Sequence, residues 1–181
     1  MNVRLALAGL GLPPFVRRRG IRRLFRITAE AFAAPLPPRL SPGTDRLLEE
    51  YATFTRDETG RLASRPADVE GVREGLRTRA KALGADLGRA FGVKTRRDGE
   101  RLLSIVYQAI GIDLSAEGGA VTVGRCGFAP FYDEETCRMI SALDEGLMAG
   151  ILGEGRLEFA ERLTAGRGRC AGTFRSREDR P

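Results

Sequence analysis

The residues of this sequence with the greatest chemical capacity are three cysteines in its last third. Cys126, Cys137 and Cys170 follow a C-x10-C-x32-C spacing. Three thiolates can hold a zinc ion with oxygen or water as the fourth ligand, or an iron–sulfur cluster with one iron open to substrate. The spacing contains no C-x-x-C pair, and free cysteine is among the most buried residue types. Three inert core thiols are therefore one alternative, and redox-active thiols are another.

Asp144 is the second feature with chemical capacity. A helix is predicted from about Asp133 to Leu152, and at roughly 100° per residue it places Asp144 within an apolar face. That face contains Cys137, Ile140, Leu143, Asp144, Leu147, Met148 and Ile151, with Arg138, Glu145 and Ala149 opposite. A carboxylate in apolar surroundings tends to be kept when it is paired, bound to metal or used in chemistry. Asp144 is the predicted general acid or base, and a structural aspartate is the alternative.

Two absences narrow the chemistry further. The sequence contains no histidine, which excludes Ser-His and Cys-His catalysis and every histidine-ligated metal site. Asp144 is therefore the leading candidate for moving protons. Arg125 and Arg162 are the predicted substrate-binding residues, because either guanidinium could bind a substrate carboxylate. Each could equally be a surface residue or hold Asp144 in an ion pair.

The elements that must position these residues follow from hydrophobic periodicity and turn residues. Helices are predicted over residues 14–33, from Thr44, over 67–91 and over 97–110, followed by a hairpin near 112–123, the helix at 133–152 and a second hairpin over 156–174. In the first helix, the candidate buried positions are Phe15, Ile21, Leu24, Phe25, Ile27 and Phe32. This order predicts an α+β protein, with an N-terminal helical bundle packed on a small antiparallel sheet built as hairpin-helix-hairpin.

Three regions are predicted along the chain. Residues 1–42 form a basic helix and a linker that contains four prolines, residues 43–175 form the domain that carries the cysteines, and residues 176–181 form a frayed tail.

The positive charge is concentrated at the start of the chain. The net charge is +6, yet residues 1–29 contain seven arginines and no acidic residue. The arginines could form a solvated face, or they could contact phosphates, an anionic membrane surface or an acidic protein. A protein partner is therefore one expectation for this helix. Nucleic acid is not the expected partner, because tryptophan is absent and other aromatics are sparse.

The sequence predicts no membrane span and a cytoplasmic location. The apolar stretch Leu5 to Val16 is short and interrupted by glycine and proline. Its arginine cluster follows the apolar run, whereas a secretory signal has its charge before it. An odd number of cysteines rules out complete intramolecular disulfide pairing, and the expected reducing compartment disfavours even one disulfide.

Three runs of sequence, VGRCGFAPFY, CRMISALDEGLMAGIL and LEFAERLTAGRGRC, resemble the L-2-amino-thiazoline-4-carboxylic acid hydrolase-like family. In that pattern one Cys closes a strand, a second Cys and an Asp lie on a helix, and a Gly turn leads to a last Cys. The corresponding residues are Cys126, Cys137, Asp144 and Cys170. The resemblance implies hydrolytic opening of a small sulfur- and nitrogen-containing ring, or related chemistry, and it strengthens the expectation of a metal or cluster. A looser similarity to vinyl-reductase-like sensing domains implies a binding module.

The sequence therefore predicts a small-molecule hydrolase or lyase. Its metal or iron–sulfur centre would lie on Cys126, Cys137 and Cys170, with Asp144 as general acid or base. The alternative is a zinc-stabilised small-molecule sensing or accessory protein that docks to a partner. A metal-free interaction protein with buried thiols is the third possibility. The first two depend on the three thiols meeting around one centre.

Overall fold

The computed structural model describes residues 2–176, which form six α-helices and one four-stranded antiparallel sheet. The helices are α1 (Val3–Ala8), α2 (Pro14–Ala31), α3 (Thr44–Leu62), α4 (Val69–Phe91), α5 (Arg96–Ala109) and α6 (Glu134–Leu152). The strands are β1 (Ile112–Glu117), β2 (Ala120–Cys126), β3 (Gly155–Glu161) and β4 (Cys170–Ser176). The α+β prediction is confirmed. The predicted frayed tail lies outside the described residues, except for Ser176, which belongs to β4.

The sheet joins two hairpins that are separated in sequence by α6. Its strand order is β1-β2-β4-β3, so β2 of the first hairpin pairs with β4 of the second. Gly118 and Gly119 make the first turn with positive φ angles of 57° and 91°, the backbone conformation that a tight hairpin turn requires. The predicted hairpin-helix-hairpin arrangement is therefore present, and it brings the ends of β2 and β4 to the same part of the molecule as α6.

Helix α6 packs against α4 through glycines, which gives the most extensive contact between two elements of the fold. A Cβ atom added to Gly146 would lie 2.1 Å from the carbonyl oxygen of Arg77, and one added to Gly150 would lie 2.2 Å from that of Lys81. Ala149, predicted on the side of the helix opposite the apolar face, is also buried. Helix α6 is therefore covered on more than the one side that its larger apolar residues indicate.

Helix α2 contributes to the core through its middle and end. Ile21 and Phe25 are fully buried, and Thr28 and Ala29 are buried beside them. The expectation that Phe15 is buried is wrong, since its side chain is 65% exposed. The first fully buried residue of α2 is Ile21, while Val16 and Arg17 in the first turn are only partly buried and Phe15 lies on the solvent side.

No helix within residues 2–176 is both long enough and apolar enough to cross a membrane.

Candidate functional site

A cavity of about 340 Å³ lies among helices α2, α4, α5 and α6, with residues of β1 and β2 at its side. Its wall is mostly apolar, with Leu24, Leu83, Leu87, Val106 and Leu147 among the lining residues. The lining residues that are exposed to solvent are Arg19, Gly20 and Arg23. All three belong to α2, so the cavity reaches the surface along that helix.

Asp144 and Tyr107 form the polar pair of the cavity. The hydroxyl of Tyr107 on α5 donates a hydrogen bond of 2.6 Å to Oδ1 of Asp144 on α6. Asp144 lies deep in the protein, but it lines the cavity and retains a partly accessible surface. A small molecule inside the cavity could therefore reach the carboxyl group, as the prediction of an inward-facing aspartate requires.

Burial raises the pKa of Asp144 from its ordinary value of 3.8 to about 6. The hydrogen bond from Tyr107 and the positive charge of Arg162 act in the opposite direction, because both favour the carboxylate. Burial and the nearby Asp144 charge raise the pKa of Tyr107 well above its usual value, so this hydroxyl remains a donor. A carboxyl group that titrates close to neutral pH can both give and accept a proton.

A β-bulge decides which side chain at the end of β2 faces the cavity. Ile112 pairs with Cys126 and Leu114 pairs with Val123, so β2 has one residue more than β1 between these pairs. The extra residue shifts the alternation of side chains by one position. Cys126 consequently lines the cavity.

Arg125 is exposed and does not line the cavity. The bulge is the physical reason, because it turns Cys126 toward the cavity in place of its neighbour. The geometry gives no support to Arg125 as a substrate-binding residue.

Arg162 lies behind the cavity wall formed by α6. Its Nη1 atom is 3.6 Å from Sγ of Cys137, and its Nη2 atom is 3.3 Å from Oγ of Ser141. Cys137 and Ser141 both line the cavity, whereas Arg162 itself does not. The guanidinium group also stacks over the Phe159 ring, 4.8 Å from the ring centroid. Arg162 therefore acts on the site through its charge and through these two side chains.

Cys170 lies at a different level of the sheet from Cys126. It pairs with Val123 on β2, and at about 3.3 Å per residue this places it roughly 10 Å along the strand from Cys126. Its sulfur accepts a hydrogen bond of 3.4 Å from the backbone N–H of Leu163. Cys170 does not line the cavity that contains Cys126 and Cys137.

The predicted metal centre therefore lacks a set of ligands in this arrangement. Among residues 2–176, no group of three His, Cys, Asp or Glu side chains is placed to hold a metal ion. Cys126, Cys137 and Cys170 approach the same region without converging on one point. The donor atoms do not fit a three-thiolate zinc ion or cluster.

Sequence reasoning missed the tyrosines of the site. All three tyrosines of the chain, Tyr51, Tyr107 and Tyr132, line the cavity. Tyr51 shares a hydrogen bond of 3.0 Å with Thr28, and Tyr132 shares one of 2.6 Å with Thr55. A tyrosine on an apolar helix face indicates a hydroxyl that needs a buried partner. That signal was present in α5 at Tyr107, but it could not identify Asp144 as the partner.

Fold and site together define an α+β protein with a mostly apolar cavity whose wall includes the hydrogen-bonded pair of Asp144 and Tyr107. No protein-family model and no curated protein matches the chain. The resemblance to the thiazoline-carboxylate hydrolase-like family therefore stays a prediction, and function must be argued from the cavity itself.

The reactivity of the Cys126 thiol tests whether this side chain is enclosed in the protein. Burial raises its pKa to about 11, which leaves roughly a hundredfold less thiolate near pH 8 than an ordinary cysteine has. We expect iodoacetamide to label Cys126 at least tenfold more slowly in the native protein than in urea, as followed by peptide mass spectrometry. Equal rates in the two states would show that Cys126 is not enclosed as described.

Proposed function

We propose that the protein is a small-molecule enzyme of the hydrolase or lyase type, in which Asp144 serves as general acid and base. The observation that carries the proposal is a carboxyl group of pKa about 6 that lines an apolar cavity. Catalytic carboxyl groups are commonly raised toward neutral pH by burial, because this improves proton transfer in both directions. Perturbed groups that line a cavity are candidates for function for the same reason.

Tyr107 supports this role by fixing the carboxyl group. Its hydroxyl bonds Oδ1 of Asp144, while within residues 2–176 no protein hydrogen bond engages Oδ2. The second oxygen is thus the atom available to a substrate. In the ionised form it can accept a proton, and in the neutral form it can return one, while the bond to Tyr107 keeps the group oriented.

The cavity favours a substrate with a substantial apolar part. Its volume of about 340 Å³ and its mainly aliphatic wall suit a compact organic molecule. The hydroxyl groups of Tyr107 and Ser141 lie on its wall and can orient a polar group of the substrate. The positive charge of Arg162, which lies behind Ser141, favours a substrate with an anionic group near Ser141. Opening of a small sulfur- and nitrogen-containing ring is the narrower reaction that the family resemblance suggests.

We also infer that this chemistry takes place in the cytoplasm. The three cysteines are free within the described residues, and unpaired thiols persist in reducing compartments.

The test compares the wild-type protein with Asp144→Asn, using L-2-amino-thiazoline-4-carboxylate as the first substrate and mass spectrometry to follow ring opening. We expect Asp144→Asn to lower kcat by about 10²–10⁴-fold, because it removes the proton carrier. Asp113→Asn is the matched control, since it makes the same change at an exposed position of β1, and it should retain activity. Full activity of Asp144→Asn would overturn the proposed role of Asp144.

A sensing or accessory protein is the second candidate, and the small number of polar groups in the cavity wall favours it. A sensor would bind an apolar molecule in the same cavity without converting it. Native mass spectrometry separates the two candidates. Recovery of a bound compound unchanged after long incubation supports the sensor, whereas recovery of a product supports the enzyme.

A further inference from the structure

The start of the chain exposes large apolar side chains beside uncompensated arginines, and this combination is separate from the proposed chemistry. We call residues 3–26 the basic apolar segment; they comprise α1, the loop after it and most of α2. The exposed fractions are 64% for Val3, 64% for Leu7, 86% for Leu10 and 65% for Phe15. Among residues 2–176 the only other exposed large apolar side chain is Leu36, at 44%, so the highest exposure is concentrated in one stretch of chain.

The exposed apolar residues of α1 belong to an anchored helix. Leu5 is fully buried, and Nδ2 of Asn2 donates hydrogen bonds of 2.9 and 3.0 Å to the carbonyl oxygens of Phe91 and Gly92. Because residues two apart on a helix point in nearly opposite directions, anchoring through Leu5 turns Val3 and Leu7 outward. The apolar surface is therefore presented by a fixed element.

The arginines of the segment divide into two groups. Arg4 donates to the carbonyl oxygen of Ala90, Arg17 donates to that of Ala109, and Arg23 pairs with Asp86. The other group makes no ion pair or side-chain hydrogen bond within the described part of the chain. This second group consists of Arg18, Arg19, Arg22 and Arg26. Within residues 2–176, four positive charges therefore have no protein partner, and they lie on a helix that has no acidic residue before Glu30.

Exposed aliphatic and aromatic side chains next to arginines suit the surface of a bilayer, which has a layer of charged headgroups above a layer of acyl chains. Arginines bind lipid phosphates, and apolar side chains enter the region between headgroups and acyl chains. Nucleic acid would account for the arginines but not for Leu10, the most exposed large apolar residue of the described chain. The cavity also reaches solvent at Arg19, Gly20 and Arg23 of α2, so an apolar ligand could enter it from a lipid surface.

We propose that the basic apolar segment docks the protein peripherally on an anionic phospholipid bilayer. Arg18, Arg22 and Arg26 contact the lipid phosphates, while Leu10 and Phe15 insert among the headgroups. The attraction is electrostatic in part, so it weakens as salt screens the surface charge. Docking does not depend on the chemistry proposed for Asp144, and each proposal can fail without the other.

The test is flotation of the full chain with vesicles of phosphatidylcholine alone or of phosphatidylcholine mixed with phosphatidylglycerol. We expect the protein to float with the mixed vesicles and to stay behind with phosphatidylcholine alone. Replacement of Arg18, Arg22 and Arg26 by glutamine should weaken the binding roughly a hundredfold. Leu10→Ser, which leaves every charge in place, should weaken it by about tenfold.

The matched control replaces three exposed arginines of the second hairpin by glutamine: Arg156 on β3, Arg167 in the loop that follows, and Arg175 on β4. This variant has the same net charge as the α2 triple variant, and we expect it to bind mixed vesicles like the wild type. If both triple variants lose vesicle binding equally, net charge alone explains the binding, and the proposal is overturned. The proposal is also overturned if the wild-type protein does not float with the mixed vesicles, whether or not it binds an acidic peptide or RNA. Circular dichroism confirms that each variant is folded.

Discussion

Asp144→Asn is expected to raise the free energy of unfolding near pH 7 by about 2–3 kcal/mol while it removes activity. The folded-state pKa of Asp144 is about 6, against an ordinary value of 3.8. Above both values the carboxylate is ionised in the folded and the unfolded chain, and burial makes the ionised form costly in the folded one. At about 1.4 kcal/mol per pKa unit, the difference amounts to roughly 3 kcal/mol. Asparagine keeps an oxygen for the Tyr107 hydroxyl and avoids this cost.

The sign of the pH dependence follows from the raised pKa. Between about pH 4 and 6 the folded protein holds a proton that the unfolded chain has lost, so its stability falls as the pH rises through this range. Above pH 6 both states are ionised and the penalty is complete. The advantage of Asp144→Asn should therefore be small near pH 4, grow up to about pH 6 and stay constant above it.

Urea unfolding at a series of pH values measures this difference. Asp113→Asn changes the same functional group at an exposed position of β1, and it should alter stability by less than about 0.5 kcal/mol at any pH in the series. If Asp144→Asn instead lowers stability at pH 7, Asp144 is a structural carboxylate held by Arg162. A gain in stability with a loss of turnover is the pattern expected of a group kept for function.

The longer helices and the two hairpins are predicted from the sequence because each of them has a strong local signal. The helical spacing of Leu76, Leu83 and Leu87 in α4 can be recognised from neighbouring residues alone, and so can the glycine turn between β1 and β2. The inward direction of Asp144 follows from the same helical period. The sequence does not predict α1, because its six residues are too few to show a period.

The arrangement of the site depends on information that is not local. The one-residue bulge in β2 exchanges the directions of Arg125 and Cys126, and no alternation pattern shows where a strand will bulge. The pairing of Cys170 with Val123 is a matter of register between distant strands, and it separates thiols that the sequence allowed to converge. A cavity is a space that packing leaves unfilled, so only the assembled helices define it.

Gly146→Ala is expected to lower the free energy of unfolding by about 3 kcal/mol or more. An added Cβ would lie 2.1 Å from the carbonyl oxygen of Arg77 and 2.9 Å from its Cα atom. Both are backbone atoms, so no rotation of a side chain can relieve the contact and the two helices must separate. Overpacking of a core typically costs about 1–3 kcal/mol, and this contact lies at the high end because it opposes the largest helix–helix contact of the fold.

Gly88→Ala provides the matched comparison, because an added Cβ on this α4 glycine meets no atom within 4 Å. Alanine lowers the entropy of the unfolded chain and favours helix, so Gly88→Ala should stabilise the protein by about 0.5–1 kcal/mol. Urea unfolding of both variants gives two changes of opposite sign from the same substitution. Equal effects would mean that α4 and α6 do not approach as closely as described. Because Gly146 and Asp144 share α6, separation of the helices should also open the cavity and bring the pKa of Asp144 back toward its ordinary value.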